Sequence, residues 1–282
     1  MALATRLRST SHWSDPRVKP PYGAVELDKS LTLARGLIGC WVLNEGIPTA
    51  RDLVNEADLF PTNGPKASVG PKGQAVSFAG ASSQYLVTAG NEARIEIAAD
   101  APLSFLTAAR PQGSFVNHRN VFFKSGDYGL ICFSDGSWNA QTSLGDVVAA
   151  TALTLERDYV LGATFTGGTA GNVTGTAYVN GIVDAIDSTG LQTGGGAPTN
   201  VLSLGADSVN SRFWNGLIYF LYVFNTTKTA AEMFELSQLP YSFFRPIIRR
   251  RYFFFTPAAA AGGIFIQERL GRGIGRGVLI GR

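Results

Sequence analysis

Between residues 36 and 224 the apolar runs are short, and each is stopped by turn residues. Val173–Val179 (VTGTAYV) runs into Asn180-Gly181 and continues as Ile182–Ile186. Asn-Gly between alternating apolar runs is a hairpin signal, because both residues tolerate the positive φ that a tight type I′ turn requires. The same punctuation sets off Gly36–Asn44, Gln74–Phe78, Tyr85–Thr88, Leu103–Ala109, Val121–Lys124, Tyr128–Phe133, Asp158–Phe165, Val201–Leu204 and Trp214–Phe224. Turn signals at roughly ten-residue intervals read as a β-sandwich or barrel. Gln74–Phe78 and Tyr85–Thr88 are expected to pair across Gly80-Ala81-Ser82-Ser83, and Val121–Lys124 with Tyr128–Phe133 across Ser125-Gly126-Asp127. One helix is marked. Thr229 and Glu232 form a capping box ahead of Met233, Phe234 and Leu236, and Pro240 ends it. Strands that outnumber helices this far predict two antiparallel sheets packed face to face. No fixed-period repeat points to a solenoid or propeller.

Composition narrows the class further. Glycine supplies 33 of 282 residues and charged residues only 16%, against about 25% in ordinary domains. A 45% hydrophobic chain with net charge +3 is not disordered. Glycine shows no three-residue period, which excludes collagen, and two cysteines cannot staple a chain of this length. Cys40 and Cys132, each among apolar neighbours, read as reduced core residues in preference to a bridge. The uncharged run Gly216–Phe224 is far short of the ~20 residues of a membrane span. The N-terminus has no apolar export segment, so the expectation is synthesis in a cytosol, with release by lysis or within a larger particle.

Charge divides the chain in three. Residues 1–20 carry net +3 and residues 21–244 net −7, whereas residues 245–282 hold eight arginines and only Glu268, net +7. The predicted organisation is an N-terminal arm over 1–32, a β-sandwich over 33–244, and a basic, aromatic, glycine-rich docking tail over 245–282. Such a tail lacks the material for its own core and must dangle or dock. Docking is favoured, because apolar residues such as Tyr252, Phe253, Phe254, Phe255 and Phe265 are poorly placed in water. Arg249, Arg250, Arg251, Arg269, Arg272 and Arg276 would pair with groups on the partner. Nucleic acid is a weaker fit, since the aromatics are clustered and the body is acidic.

Four segments occur in a telling order: LARGLIGCWVLNEG (33–46), GQAVSFAGASSQYLVT (73–88), AYVNGIVDA (177–185) and the final strand with its capped helix (213–246). The set resembles the concanavalin A-like, laminin-G-type jelly-roll domain, with Trp41, Glu45 and Gly46 matching the signature of its first strand. The whole chain also resembles laminin-G-like proteins of tailed bacteriophages and prophages. That resemblance implies a virion structural protein of the decoration or cement type. It would be assembled in the host cytoplasm, homo-oligomeric, and anchored to other capsid or tail proteins through its termini. A lectin-like virion module binding host surface glycans is the alternative, and a glycan hydrolase the second.

The residues offer little for catalysis, and the chain is expected not to be an enzyme. Glucanases on this sandwich use E-x-D-x-E, whose period-2 spacing turns three carboxylates into one cleft. Glu26-Leu27-Asp28 starts such a pattern, but Ser30 breaks it. No G-x-S-x-G elbow, zinc spacing or phosphate-cradling loop occurs, and His12 and His118 stand apart in loops. No cofactor is assigned. Calcium is left open without ligands, because Asp127, Asp135, Asp146 and Asp207 lie in predicted loops but lack EF-hand spacing. For a sugar, Trp138 with Asn139 beside it is the candidate platform. The alternative is that Trp138 starts a strand and packs inward.

Overall fold

In a computed structural model of the chain, the described residues are 13, 15–21, 23, 25–46, 49–90, 92–115, 118–169, 171–195, 200–207 and 211–247, with the backbone of 254–255, 264–268 and 276–280. The chain forms two compact units, Met1–Arg245 and Pro246–Arg282. The strands in chain order are β1 (Val25–Leu27), β2 (Leu37–Trp41), β3 (Leu59–Thr62), β4 (Lys66–Gly70), β5 (Gly73–Phe78), β6 (Tyr85–Thr88), β7 (Leu103–Pro111), β8 (Arg119–Lys124), β9 (Tyr128–Cys132) and β10 (Trp138–Thr142). They continue as β11 (Asp146–Val148), β12 (Tyr159–Phe165), β13 (Gly175–Val179), β14 (Ile182–Asp187), β15 (Leu202–Leu204), β16 (Gly216–Phe224), β17 (Phe244–Pro246), β18 (Phe254–Phe255), β19 (Ile264–Glu268) and β20 (Arg276–Ile280). The helix α1 spans Ala230–Gln238, with the capping box formed as the sequence predicts.

Two antiparallel sheets make the body. One has the order β11-β10-β9-β8-β15-β6-β3, the other β14-β13-β12-β7-β16-β5-β4, with β2 also on β16. The β13–β14 hairpin turns at Asn180 (φ +53°) and Gly181 (φ +83°). Asn180 is further held by Val160, which donates its N–H to the Asn180 side-chain oxygen at 2.9 Å. The β8–β9 hairpin also forms as expected. The β5–β6 pairing does not. β5 lies in the eight-stranded sheet and β6 in the other, and a 3₁₀ turn at Gly80–Ser82 joins them. Val76, Phe78 and Leu86 enter one core from opposite sides, so burial across the sandwich replaces side-by-side pairing.

That core lies between the sheets and includes Trp41, Phe105, Phe122, Trp138, Phe165 and Trp214. A second apolar layer covers the outer face of the eight-stranded sheet. Trp13, Leu33, Phe220, Tyr222, Met233, Leu236, Tyr241 and Phe243 pack there. Phe220 and Tyr222 stack at 4.6 Å between centroids. Lys228 pins the entering chain, donating from Nζ to the carbonyls of Thr32, Leu33 and Arg35 at 3.1, 3.0 and 2.9 Å. The Thr32 carbonyl also accepts from the Arg35 N–H at 3.1 Å, which closes the short 3₁₀ turn at Thr32–Ala34. The described part of segment 1–32 is therefore laid on the body. Trp13 is buried against its own chain. In the second unit, β18, β19 and β20 form an antiparallel sheet that the sequence reading did not assign.

Candidate functional site

With the eight-stranded sheet covered, the opposite exterior is the one left for recognition. No second apolar cluster lies outside the seven-stranded sheet among the described residues, although Ile131, Asn120, Ser203 and Asn139 of that face are themselves buried. Strand parity fixes which residues line it. Leu130 and Cys132 point into the core, so Ile131 points out. Its neighbours Asn139 and Asn120 stand on the same row, and Val148 extends that row on β11. A second row crosses all seven strands: Asp146, Gln141, Gly129, Phe123, Ser203, Val87 and Phe60. It spans six strand spacings, about 29 Å.

The row is polar at one end and aromatic toward the other. Asn139 and Gln141 donate from their amides to Asp146 Oδ2 at 3.2 and 3.4 Å. This clamp fixes a carboxylate and two amides on adjoining strands. Phe123 then covers Gly129, where a Cβ would stand 2.5 Å from Phe123 Cδ2. Glycine is what lets the ring lie flat there. Phe60 is 43% exposed at the far end. The buried Gln141 Oε1, Ser203 Oγ and both Asn120 amide atoms lack hydrogen-bond partners among the described residues. Each such group costs about 1–3 kcal/mol when left unpaired, and a water or ligand hydroxyl could supply the missing bond.

The structure corrects the proposed Trp138 platform. Trp138 is fully buried in the inter-sheet core, because β10 alternates: Trp138 and Ala140 point in, Asn139 and Gln141 out. Asn139 does lie on the exterior row. Gln141, Phe123 and Phe60 were missed. The alternation W-N-A-Q carries the signal for Gln141. For Phe123 it is hidden by the β-bulge between Asn120 and Phe122, which turns both Val121 and Phe122 inward. Arg249, Arg250, Arg251, Tyr252, Phe253, Arg269 and Arg272 lie outside the described residues, as does His12. Phe254, Phe255, Phe265 and Arg276 fall on strands described by backbone alone.

The carboxylates considered for calcium are dispersed. Asp135 accepts from Ser137 in a turn, Asp207 from Ser211, and Asp146 serves the amide clamp. Asp127 is buried and accepts from the Ile97 N–H at 3.1 Å. Burial pushes its carboxyl up to about 6, against the opposing pull of that hydrogen bond and of Lys124. No group of three or more His, Cys, Asp or Glu among the described residues is arranged to hold a metal. Glu26 of the two-stranded β1–β17 sheet pairs with Arg245 at 2.8 Å, and Asp28 accepts from Ser30. His118 packs edge-on to Phe133 at 4.6 Å. Cys40 and Cys132 are free and buried, and burial pushes both thiols up. A separate crevice of about 180 Å³ lies beside Glu45, Gln74 and Val76. Burial raises the Glu45 carboxyl there, while the Asn44 and Arg51 N–H groups donate to it at 2.9 and 3.2 Å.

Known proteins share this architecture. The domain-4 structure of the Geobacillus stearothermophilus extracellular arabinanase AbnA, in complex with arabinotriose, superposes with TM-score 0.54 at 13% identity, over 71% of this chain and 98% of that one. Trypanosoma rangeli sialidase with the inhibitor DANA matches with TM-score 0.52 at 12% identity, over 72% of this chain and 32% of that one. The binding domain of botulinum neurotoxin DC in complex with SialylT matches with TM-score 0.51 at 10% identity, over 73% and 52%. This chain thus spans about a third of the sialidase and half of the neurotoxin domain. At these identities the likeness is one of fold. No curated protein sequence matches. The family profile described as concanavalin A-like lectin/glucanases superfamily matches residues 78–233. More than half the chain carries that profile, and its two sheets have the corresponding jelly-roll arrangement: the chain belongs to the concanavalin A-like lectin/glucanases superfamily.

Proposed function

We propose that this protein is a carbohydrate-binding module whose recognition surface is the exterior of the seven-stranded sheet. The observation that carries the reading is the row from Asp146 and Gln141 through Phe123 to Phe60. Sugars offer C–H faces that stack on rings and hydroxyls that seek fixed donors and acceptors. Asn139, Gln141 and Asp146 supply the second, held by mutual hydrogen bonds. No cation stands on the row, so the ligand class is a neutral glycan. The solved neighbours in complex with arabinotriose and SialylT support the reading at the level of fold. The reading is binding without hydrolysis. Glycosidases generally need two carboxyl groups flanking the bond, and Asp146 is the one carboxylate in these seven strands.

The test is a glycan array followed by calorimetry on the full chain. Asn139→Ala and Gln141→Ala should each weaken binding about tenfold, the worth of one hydrogen bond to a charged or fixed group, measured below the melting temperature of each variant. Binding that ignores both substitutions, or no binding to any neutral glycan, refutes the reading. A second reading sets this body on a phage particle as a decoration protein. The separate, arginine-rich C-terminal unit favours it. Deleting residues 246–282 would then abolish particle incorporation, and normal incorporation would refute that role.

A further inference from the structure

Three Asn-Gly pairs occur in the sequence, at 63–64, 180–181 and 215–216. The pair is chemically labile in water. Glycine carries no side chain to shield its backbone nitrogen, so that nitrogen attacks the asparagine Cγ and closes a cyclic imide. Closure has a geometric demand. The asparagine side chain must swing toward the next nitrogen, and the following peptide must pivot to meet it. Folding therefore decides which of the three pairs reacts.

Two of them are locked. The Asn180 side-chain oxygen accepts from the Val160 N–H at 2.9 Å. Gly181 is buried, and α1 crowds it with Ser237 Oγ and the Phe234 backbone. The Asn215 amide is held at both ends. It donates to the Gln112 carbonyl at 2.8 Å and accepts from the Gly80 N–H at 3.4 Å. Gly216 is buried at the start of β16, with the Arg110 carbonyl oxygen pressed against it. Neither peptide has room to pivot.

Asn63 is placed differently. It lies between β3 and β4, where the chain crosses from the seven-stranded to the eight-stranded sheet. Asn63 and Gly64 are both exposed, with φ +56° and +63°. No atom stands within 4 Å of where a Gly64 Cβ would be, and no hydrogen bond engages the Gly64 N–H among the described residues. The Asn63 side chain makes one exposed bond, from Nδ2 to the Ser83 carbonyl at 2.9 Å. We propose that Asn63 is a self-modifying site, converted in the folded protein to aspartate and isoaspartate through a cyclic imide with Gly64. The Gly64 nitrogen loses its proton and bonds to Asn63 Cγ. The Cγ–Nδ2 bond then breaks, and ammonia leaves with that proton. Water opens the imide at either carbonyl. Opening at Cγ gives aspartate, and opening at the backbone carbon gives isoaspartate. The sum is asparagine and water to a carboxylic acid and ammonia, without oxidation or reduction. The product carboxylate has no N–H for the Ser83 carbonyl, so the tie between the β3–β4 and β5–β6 crossings is lost. Isoaspartate also adds a methylene to the backbone between β3 and β4. The inference does not rest on the glycan reading.

The test incubates the full wild-type chain at neutral pH, folded and in urea, and follows each pair by mass spectrometry. Trypsin, used briefly at mildly acidic pH so that digestion adds no conversion, places the three pairs in separate peptides, 52–66, 158–212 and 213–228. Conversion is read as the mass gained when an amide NH2 becomes OH. Isoaspartate is read by an isoaspartyl-specific methyltransferase with S-adenosylmethionine, and the Asn63→Asp chain is the standard for the aspartyl product. In the folded chain Asn63 should convert at least about tenfold faster than Asn180 or Asn215, which must first give up hydrogen bonds out of water. In urea the three should convert at similar rates. Similar rates in the folded chain, a lead by either other pair, or an intact Asn63 over a period in which the unfolded chain converts would overturn the proposal. Conversion of Asn63 to aspartate with no isoaspartate would overturn the imide route.

Discussion

The buried pair Lys124 and Asp127 makes acid stability a sharp test of the core. Both side chains are inaccessible, 4.0 Å apart across the β8–β9 turn. Asp127 Oδ2 accepts from Ile97, and Oδ1 has no partner among the described residues. Lys124 donates to the Asn200 carbonyl at 3.3 Å. Glu96 also faces Asp127, and Glu92 and Glu96 face Lys124. Burial is the largest influence on Asp127 and raises its carboxyl from 3.8 to about 6. A raised carboxyl means that the folded protein takes up a proton more readily than the unfolded chain. Its contribution to stability is thus complete below the unfolded value and lost as pH rises through about 6. Linkage between these two values gives about 1.4 kcal/mol more stability at pH 5 than at pH 7.5. The assay is urea unfolding of wild type and Asp127→Asn at both pH values. The subtraction removes the titrating groups that do not face Asp127. The wild-type advantage over the variant should grow by about 1.4 kcal/mol on acidification. A difference that stays constant, or shrinks, refutes the claim that burial dominates this carboxyl.

Two further substitutions probe the joints that position the sheets. Lys228→Met leaves the carbonyls of Thr32, Leu33 and Arg35 without their shared donor, and should cost about 3 kcal/mol in urea unfolding; a loss within about 0.5 kcal/mol would show that water replaces the ammonium. Gly181→Ala places a methyl 2.2 Å from Ser237 Oγ in a backbone with φ +83°. It should lower stability by at least about 2 kcal/mol, read as a fall in melting temperature, and an unchanged melt would mean that α1 can shift off the hairpin.

The fold was legible where one local rule decided the outcome. Asn180-Gly181 dictates a hairpin whatever surrounds it, and Thr229 with Glu232 starts a helix from its own atoms. The partner of an apolar strand is set elsewhere. Gln74–Phe78 and Tyr85–Thr88 look like a hairpin because each would bury one face. The structure buries those faces against each other across the sandwich, and nothing in a ten-residue window distinguishes the two solutions. β3 and β4 escaped notice for a related reason: Pro61 and Lys66 are tolerated because β3 and β4 sit at sheet edges.

The candidate site shows the same division. A large aromatic among polar neighbours draws attention to Trp138, yet one residue of parity sends it to the core and Asn139 to the exterior. Phe123 reaches the exterior only because a bulge resets the alternation of β8, and its ring finds room only because residue 129, on another strand, is glycine. Recognition on a sheet is made of rows that cross strands. Asp146, Gln141, Phe123 and Phe60 are scattered through the sequence and become neighbours through register. A slip of one residue in any of these pairings would replace them with core residues. The binding row therefore depends on the turns and bulges that fix register as much as on the side chains that would touch a ligand.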